Sequence, residues 1–165
     1  MYATFDTRGP AELTATPALV EAYPLRRLGD DRATTLALWT ETTDPAAYAV
    51  EEDLPGTAAG RRPAAAAAAW FDGPLSPARV AAARFGFRER IGPALAGVPG
   101  LVRILVLWRD RDAASCAINL AVDLPTLEAA AVAVNSTTLL PGEDPALLTG
   151  PDRVDIHHIT EGAPS

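Results

Sequence analysis

The feature that most constrains the fold of this chain is an internal echo between its two halves. Leu36–Trp39, Leu-Ala-Leu-Trp, leads on to Asp53–Pro55, and Leu105–Trp108, Leu-Val-Leu-Trp, leads on to Asp123–Pro125. The two copies therefore repeat with nearly constant spacing. A unit too small to bury its own core must pack its open face against a copy of itself. The echo predicts two unequal copies of one unit, with a cavity between them.

Composition limits the classes of protein to which the chain can belong. Its 165 residues have 48% hydrophobic residues, as a folded domain does, and 14 basic against 21 acidic residues, with no basic patch for nucleic acid. The single cysteine, Cys116, excludes a disulfide framework and a cysteine-based zinc site. We find neither a secretion signal nor an apolar stretch long enough to span a membrane. These features predict a cytoplasmic protein with no nucleic-acid or membrane partner.

The second half of the chain has the pattern of a complete ferredoxin-like unit. Apolar runs alternate with segments of helical periodicity, and Ser76-Pro77 and Asp123 supply the residues that begin helices. The predicted order is strand, helix, strand, strand, helix, strand. The four strands are predicted at Ala64–Phe71, Leu101–Trp108, Ser115–Val122 and Val154–Thr160.

The first half repeats this pattern only in part. We predict strands at Tyr2–Thr7, Thr34–Glu41 and Ala46–Glu51, a poor helix at Ala11–Tyr23, and no second helix before the linker Gly56–Pro63. The predicted domains are thus a degenerate ferredoxin-like half, 1–60, and a complete one, 61–165. The predicted fold class is α+β: tandem ferredoxin-like repeats form a single-chain α+β barrel with antiparallel sheets and helices outside.

The order of elements, the apolar strand ending in Trp108, and the segments Asp123–Ala129 and Pro151–Val154 resemble the antibiotic-biosynthesis-monooxygenase family of dimeric α+β barrels. The resemblance implies an apolar cavity, no metal or other cofactor, and a reaction between a polycyclic aromatic substrate and dioxygen. Here both halves lie in one chain, which predicts either a monomeric pseudo-dimer or a homodimer. Haem degradation is disfavoured, because the only histidines, His157 and His158, lie on the last strand, and the family's first-strand Asn is missing.

The polar residues of two strands are candidates for catalysis. Arg103 shares a strand face with Leu105 and Leu107, so it is predicted to face the cavity, with Asp155 as its partner; otherwise it reaches solvent. His157 shares a face with Asp155 and is the candidate general base; otherwise it is an exposed edge residue. His158 faces the other way, as a core histidine would.

Asn119 lies on a face of small residues, which suits a cavity wall where its amide would stabilise an oxyanion; otherwise it bonds to a neighbouring backbone group. Tyr48 is a possible cavity donor. Tryptophans such as Trp70 and Trp108 either stack on a planar substrate or belong to the core. The predicted catalytic residues are His157, Asn119 and Arg103, and the predicted substrate-binding residues are Tyr48, Trp70, Trp108 and Asp155.

These predictions favour a cofactor-independent monooxygenase of secondary metabolism that acts on a polycyclic, polyketide-type aromatic. The partners would be that small substrate and dioxygen. The alternatives are a polyketide cyclase of the same barrel fold and a non-catalytic small-ligand-binding barrel. An open apolar cavity with His157 and Asn119 on its wall would favour an enzyme, whereas an interior filled with side chains would favour the non-catalytic barrel.

Overall fold

The computed structural model describes residues 1–13, 18–30 and 32–160. Its strands form one closed antiparallel barrel in the order β1-β3-β2-β8-β5-β7-β6-β4. The predicted α+β barrel is therefore confirmed. The strands are β1 (Tyr2–Asp6), β2 (Leu19–Arg27), β3 (Ala33–Trp39), β4 (Tyr48–Pro55), β5 (Ala65–Phe71), β6 (Leu101–Arg109), β7 (Ala114–Ala121) and β8 (Arg153–Ile159).

Two helices begin where the sequence predicts them, after Ser76 and after Asp123. The Ser76 hydroxyl accepts a hydrogen bond from the Arg79 backbone N–H, and the Asp123 carboxylate accepts one from Thr126, so each caps the helix that follows. A π-helical turn, Phe87–Ile91, joins two helices, the second of which begins at Gly92 with Pro93 in its first turn. None of the described helices is both long and apolar enough to cross a bilayer. The helices are α1 (Pro10–Leu13), α2 (Pro77–Gly86), α3 (Gly92–Ala96) and α4 (Leu124–Asn135).

The two halves of the barrel have the same strand order. Around the barrel, β4-β1-β3-β2 is followed by β8-β5-β7-β6, so each half places its four strands as a ferredoxin-like sheet does. The halves join where β2 pairs with β8 and where β4 pairs with β6. Because the hydrogen bonding is continuous around the barrel, the division into residues 1–60 and 61–165 stays a prediction.

The repeated sequence segments do not occupy equivalent positions in the two halves of the barrel. Trp39 ends β3, the third strand of its half, whereas Trp108 lies at the end of β6, the second strand of the other half. Asp53 lies within β4, whereas Asp123 caps α4. The prediction of a helix at Ala11–Tyr23 was wrong from residue 19 onward, because β2 begins there; residues 14–17 lie outside the described residues. The alternation of side chains between the two faces of β2 decides its structure, and the weak helical periodicity of the segment does not.

Large side chains fill the middle of the barrel. An internal space that admitted water would leave accessible surface on its walls, and six inward-facing residues have none. The central layer is therefore packed, contrary to the open cavity that the family resemblance implies. On the outside, α4 and the end of α3 cover small residues of β5 and β7, such as Ala65 and Ala121. The six residues are Leu36, Leu38, Leu105, Leu107, Cys116 and Leu120.

Candidate functional site

Three aromatic rings meet on the inner face of the barrel where β1, β5 and β6 end. Phe5 lies 4.6 Å from Trp70 and 6.2 Å from Tyr48 between ring centroids, and Tyr48 and Trp70 are 6.3 Å apart. Tyr48 and Trp70 are buried and Phe5 is half-buried. We call this cluster, with Arg109 and Arg153 above it, the aromatic end. It brings together two of the predicted substrate-binding residues.

Each of the two larger rings carries an arginine. The guanidinium carbon of Arg109 lies 4.6 Å from the Tyr48 ring centroid, and that of Arg153 lies 4.6 Å from the Trp70 ring centroid. Two 2.9 Å hydrogen bonds to the Asp112 carboxylate hold Arg109 in place. Arg153 is 51% exposed and reaches Asp155 only at 3.3 Å. Arg153 is thus the more loosely held of the two.

Strand β8 directs Arg153, Asp155 and His157 toward the barrel interior, as alternation predicts. Their direct cross-strand partners are Trp70, Ala68 and Ala66, which all belong to the inner cluster, and opposed residues point to the same side of a sheet. The Asp155 carboxylate also accepts a 2.9 Å hydrogen bond from the Arg27 side chain. Asp155 therefore lies between two arginines on the inner face.

His157 is buried, 4% exposed, whereas its neighbour His158 is exposed. Burial lowers the pKa of His157, and the nearby carboxylate of Asp155 only partly opposes this effect. The imidazole is consequently neutral at pH 7. The expectation that His158 is a core histidine was wrong.

Three buried side-chain nitrogens have no hydrogen-bond partner within the described part of the chain. They are Nε1 of Trp70 in the aromatic end, Nδ1 of His157, which is opposite Ala66 and so lies roughly 13 Å further along the strands, and Nε1 of Trp108 on the helix side. Buried polar groups are nearly always bonded in folded proteins, so such exceptions call for an explanation, and a functional role is one. An indole N–H can only donate, whereas a neutral imidazole offers one donor and one acceptor.

Arg103 lies on the inner face but at the opposite end of the barrel. It and Arg109 are six residues apart on β6, which corresponds to roughly 20 Å along a strand. Its guanidinium makes two 2.7 Å hydrogen bonds to Asp53 and one of 2.7 Å to Glu21, and it lies 3.4 Å from the Tyr23 hydroxyl. We call this cluster the ion-pair end.

The suggested pairing of Arg103 with Asp155 is therefore wrong. The register of β4 against β6 places Asp53 beside Leu105, two residues from Arg103 on the inner face, whereas Asp155 pairs with Arg27. A β-bulge between Leu101 and Arg103 also turns Leu101 toward the helices and Val102 inward, the reverse of strict alternation.

Asn119 and Trp108 point away from the barrel interior, which contradicts the roles predicted for them there. Asn119 is opposite Ala67 and Ile104, both of which pack on the helix side. Small residues on this face let the helices approach, while the larger side chains of β7 fill the barrel. Trp108 packs against Leu75 and α2, with Arg84 over its ring at 5.0 Å.

Sequence reasoning missed Phe5 and Arg109 of the aromatic end, and also Arg27, which bonds to Asp155. Phe5 is two residues from Ala3 on β1 and shares its face, and Arg109 lies on the strand face that was predicted to point inward. The local sequence pattern therefore indicated that both point into the barrel. Arg27 had no such signal, because the sequence predicted no strand between Tyr23 and Thr34, where β2 ends.

No protein-family model matches the chain, and no curated protein does. Solved structures match over nearly the whole length. One is a major regulator of staphylococcal pathogenesis, with a TM-score of 0.68 and 11% identity over 97% of this chain and 98% of that one. A haem-degrading enzyme of Listeria monocytogenes has a TM-score of 0.59 and 12% identity, with coverage of 97% and 100%. A monooxygenase-like protein of Listeria innocua has a TM-score of 0.58 and 9% identity, with coverage of 98% and 95%.

At such low identities these likenesses show the fold alone. The chain has the α+β barrel fold that the monooxygenase-like and haem-degrading ferredoxin-fold proteins share.

Proposed function

We propose that the protein binds a small planar aromatic molecule bearing a hydroxyl or carbonyl group at the aromatic end. The observation that carries this proposal is the buried Trp70 Nε1, which lies in the aromatic cluster and has no partner among the described residues. His157 Nδ1, also unpartnered, lies on the same inner face four residues further along the strands, roughly 13 Å away, so only an elongated ligand would reach both. A carbonyl or phenol oxygen of the ligand would accept a hydrogen bond from the indole. A phenol hydroxyl would donate to His157 when the proton of the neutral imidazole is on Nε2.

The aromatic cluster supports a flat ligand. Phe5, Tyr48 and Trp70 present ring faces to a ligand. The Arg153 guanidinium above Trp70 is half exposed and is held only by a 3.3 Å contact with Asp155. A ligand ring can replace the guanidinium of Arg153 on the Trp70 face, because both are attracted to a π-system.

A second candidate function is cofactor-independent oxygenation of a polycyclic, polyketide-type phenol in secondary metabolism. The observation that favours it is His157, which is buried, neutral at pH 7 and close enough to Asp155 for the carboxylate to favour its protonated form. His157 would remove a proton from a ring methylene of the substrate, leaving a carbanion stabilised as an enolate. The carbanion would add dioxygen, the imidazolium would return the proton to the peroxide, and loss of water would leave a carbonyl.

The binding experiment uses a variant whose only tryptophan is Trp70, with Trp39→Phe and Trp108→Phe, and a hydroxyanthraquinone as the ligand. We expect the ligand to quench Trp70 fluorescence, and His157→Ala to weaken binding about tenfold, as loss of one hydrogen bond does. Asn119→Ala is the matched control, since Asn119 points to the helices, and it should leave the affinity unchanged. Absence of quenching, or equal weakening by both substitutions, would contradict the site.

The oxygenation candidate is tested separately, by dioxygen uptake with the corresponding hydroxyanthrone. We expect the natural sequence to consume dioxygen and His157→Ala to slow that uptake at least a hundredfold. This result would support His157 as the base, since general-base catalysis contributes on that order. Binding of the quinone without dioxygen uptake would reject oxygenation of this class and leave the binding function in place.

A further inference from the structure

An apolar groove lies on the outer surface of the barrel, on the helix side of the strands. Its volume is about 520 Å³, and it runs along α2 beside the loop before that helix and the turn between β6 and β7. The residues on which the argument depends are Leu75, Ala81, Phe85, Arg88 and Glu89.

The groove combines a projection with a recess. Phe85 is 44% exposed, one of the large apolar side chains that the fold leaves in solvent. The recess beside it has Leu75 as its buried floor, packed on Trp108. Ala81, one turn before Phe85, leaves room for a second helix to approach. A surface that carries both a projection and a recess can pair with a second copy of itself about a two-fold axis.

The charges at one end of the groove are also self-complementary. Arg88 and Glu89 are adjacent and both line the groove. Arg88 is 60% exposed, and its contact with Glu52 is 3.7 Å long, so it remains available to a second carboxylate. About a two-fold axis, Arg88 of each copy would face Glu89 of the other.

We propose that this groove is the interface of a homodimer in which the α2 helices of two copies cross about a two-fold axis. Each Phe85 lies in the groove of the other copy, and two Arg88–Glu89 pairs close the rim. This arrangement differs from that of the dimeric barrels, because here one chain already closes the barrel. The inference is independent of the proposed ligand site.

Sedimentation velocity over a concentration series tests the interface. We expect the natural sequence to form dimers and Phe85→Asp to be monomeric, with an unchanged far-ultraviolet circular dichroism spectrum because Phe85 is half exposed. Val132→Asp is the control, since Val132 is 64% exposed on α4 and does not line the groove, and it should remain dimeric. A natural protein that is monomeric at every concentration, or a dimer that survives Phe85→Asp, would overturn the proposal.

The charge pairing allows a sharper test by exchange. Arg88→Glu and Glu89→Arg should each weaken the dimer at least tenfold, because like charges then face each other across the axis. Mixing the two variants should restore dimerisation as a heterodimer, since every facing pair is again of opposite charge. If the mixture stays monomeric while the natural sequence dimerises, the two-fold pairing of these residues is wrong.

Discussion

The two ends of the barrel are built from similar residues but differ in how completely their polar groups are satisfied. At the ion-pair end, the Arg103 guanidinium bonds to both Asp53 and Glu21. At the aromatic end, two arginines lie over ring faces, and the buried indole nitrogen of Trp70 has no partner among the described residues. The difference shows that a cluster of charged residues does not by itself indicate a ligand-binding site. A fully paired cluster stabilises the fold, whereas unpaired buried groups point to a ligand.

The largest effect that would sharpen this comparison is expected at Trp70. Trp70→Ala should cost about 3–5 kcal/mol in the free energy of unfolding, because it removes a buried ring and leaves a cavity. Trp70→Phe should cost much less, since it keeps an aromatic ring and removes a buried N–H that has no partner. Urea denaturation measures both. A loss for Trp70→Phe as large as that for Trp70→Ala would contradict an indole N–H without a partner, because removing such a group should not be costly.

The ion-pair end should respond next, through Arg103. Arg103→Met removes the shared partner of Asp53 and Glu21 and should cost about 1–2 kcal/mol, reduced from the value of a buried pair because both carboxylates are partly exposed. A double-mutant cycle with Asp53→Asn in denaturant measures the coupling. The Arg103 substitution should leave quinone binding unchanged, and weakened binding would mean that the two ends communicate.

His157 predicts a dependence of stability on pH. The pKa of His157 in the folded protein is below the usual 6.5. Its contribution to the free energy of unfolding is therefore complete above pH 6.5. As the pH falls below 6.5, the unfolded chain takes up the proton first, and stability declines by at most about 1.4 kcal/mol per pH unit.

The measurement for His157 is urea denaturation at a series of pH values. His157→Gln should flatten the profile below pH 6.5, whereas His158→Gln, an exposed neighbour on the opposite face, should keep the natural slope. Identical profiles for the natural sequence and His157→Gln would show that His157 is not held neutral by burial.

The smallest effect is expected from the arginines over the rings. Arg153→Ala should cost about 0.5 kcal/mol, the value of an exposed cation–π contact, and Arg109→Ala should cost more because it also breaks the pairing with Asp112. Thermal or urea unfolding of the two variants measures the order. A larger loss for Arg153 than for Arg109 would show that Arg153 is the firmly held residue.

Local rules of the sequence explain what could be predicted. Alternation along β8 placed Asp155 and His157 on one face, and capping residues located the starts of α2 and α4. These signals depend only on neighbouring residues, so no tertiary information is needed to interpret them.

The errors arose where packing between distant segments decides the outcome. Alternation separated the faces of β7 but could not tell which one the helices cover, so Asn119 was placed inside. The partner of Arg103 depends on the register of β4 against β6, which no local pattern specifies. The bulge at Leu101 likewise follows from pairing rather than from composition.

The closure of the barrel within one chain has a consequence for symmetry. β2 and β6 hold equivalent places in their halves, and Arg27 and Arg109 lie at equivalent strand ends. A symmetric homodimer would have to give both positions the same surroundings. A single chain is free of that constraint, and here one arginine contacts the Asp155 carboxylate while the other lies over the ring of Tyr48. Such a barrel can hold a ligand in a single orientation, which two identical halves could not enforce.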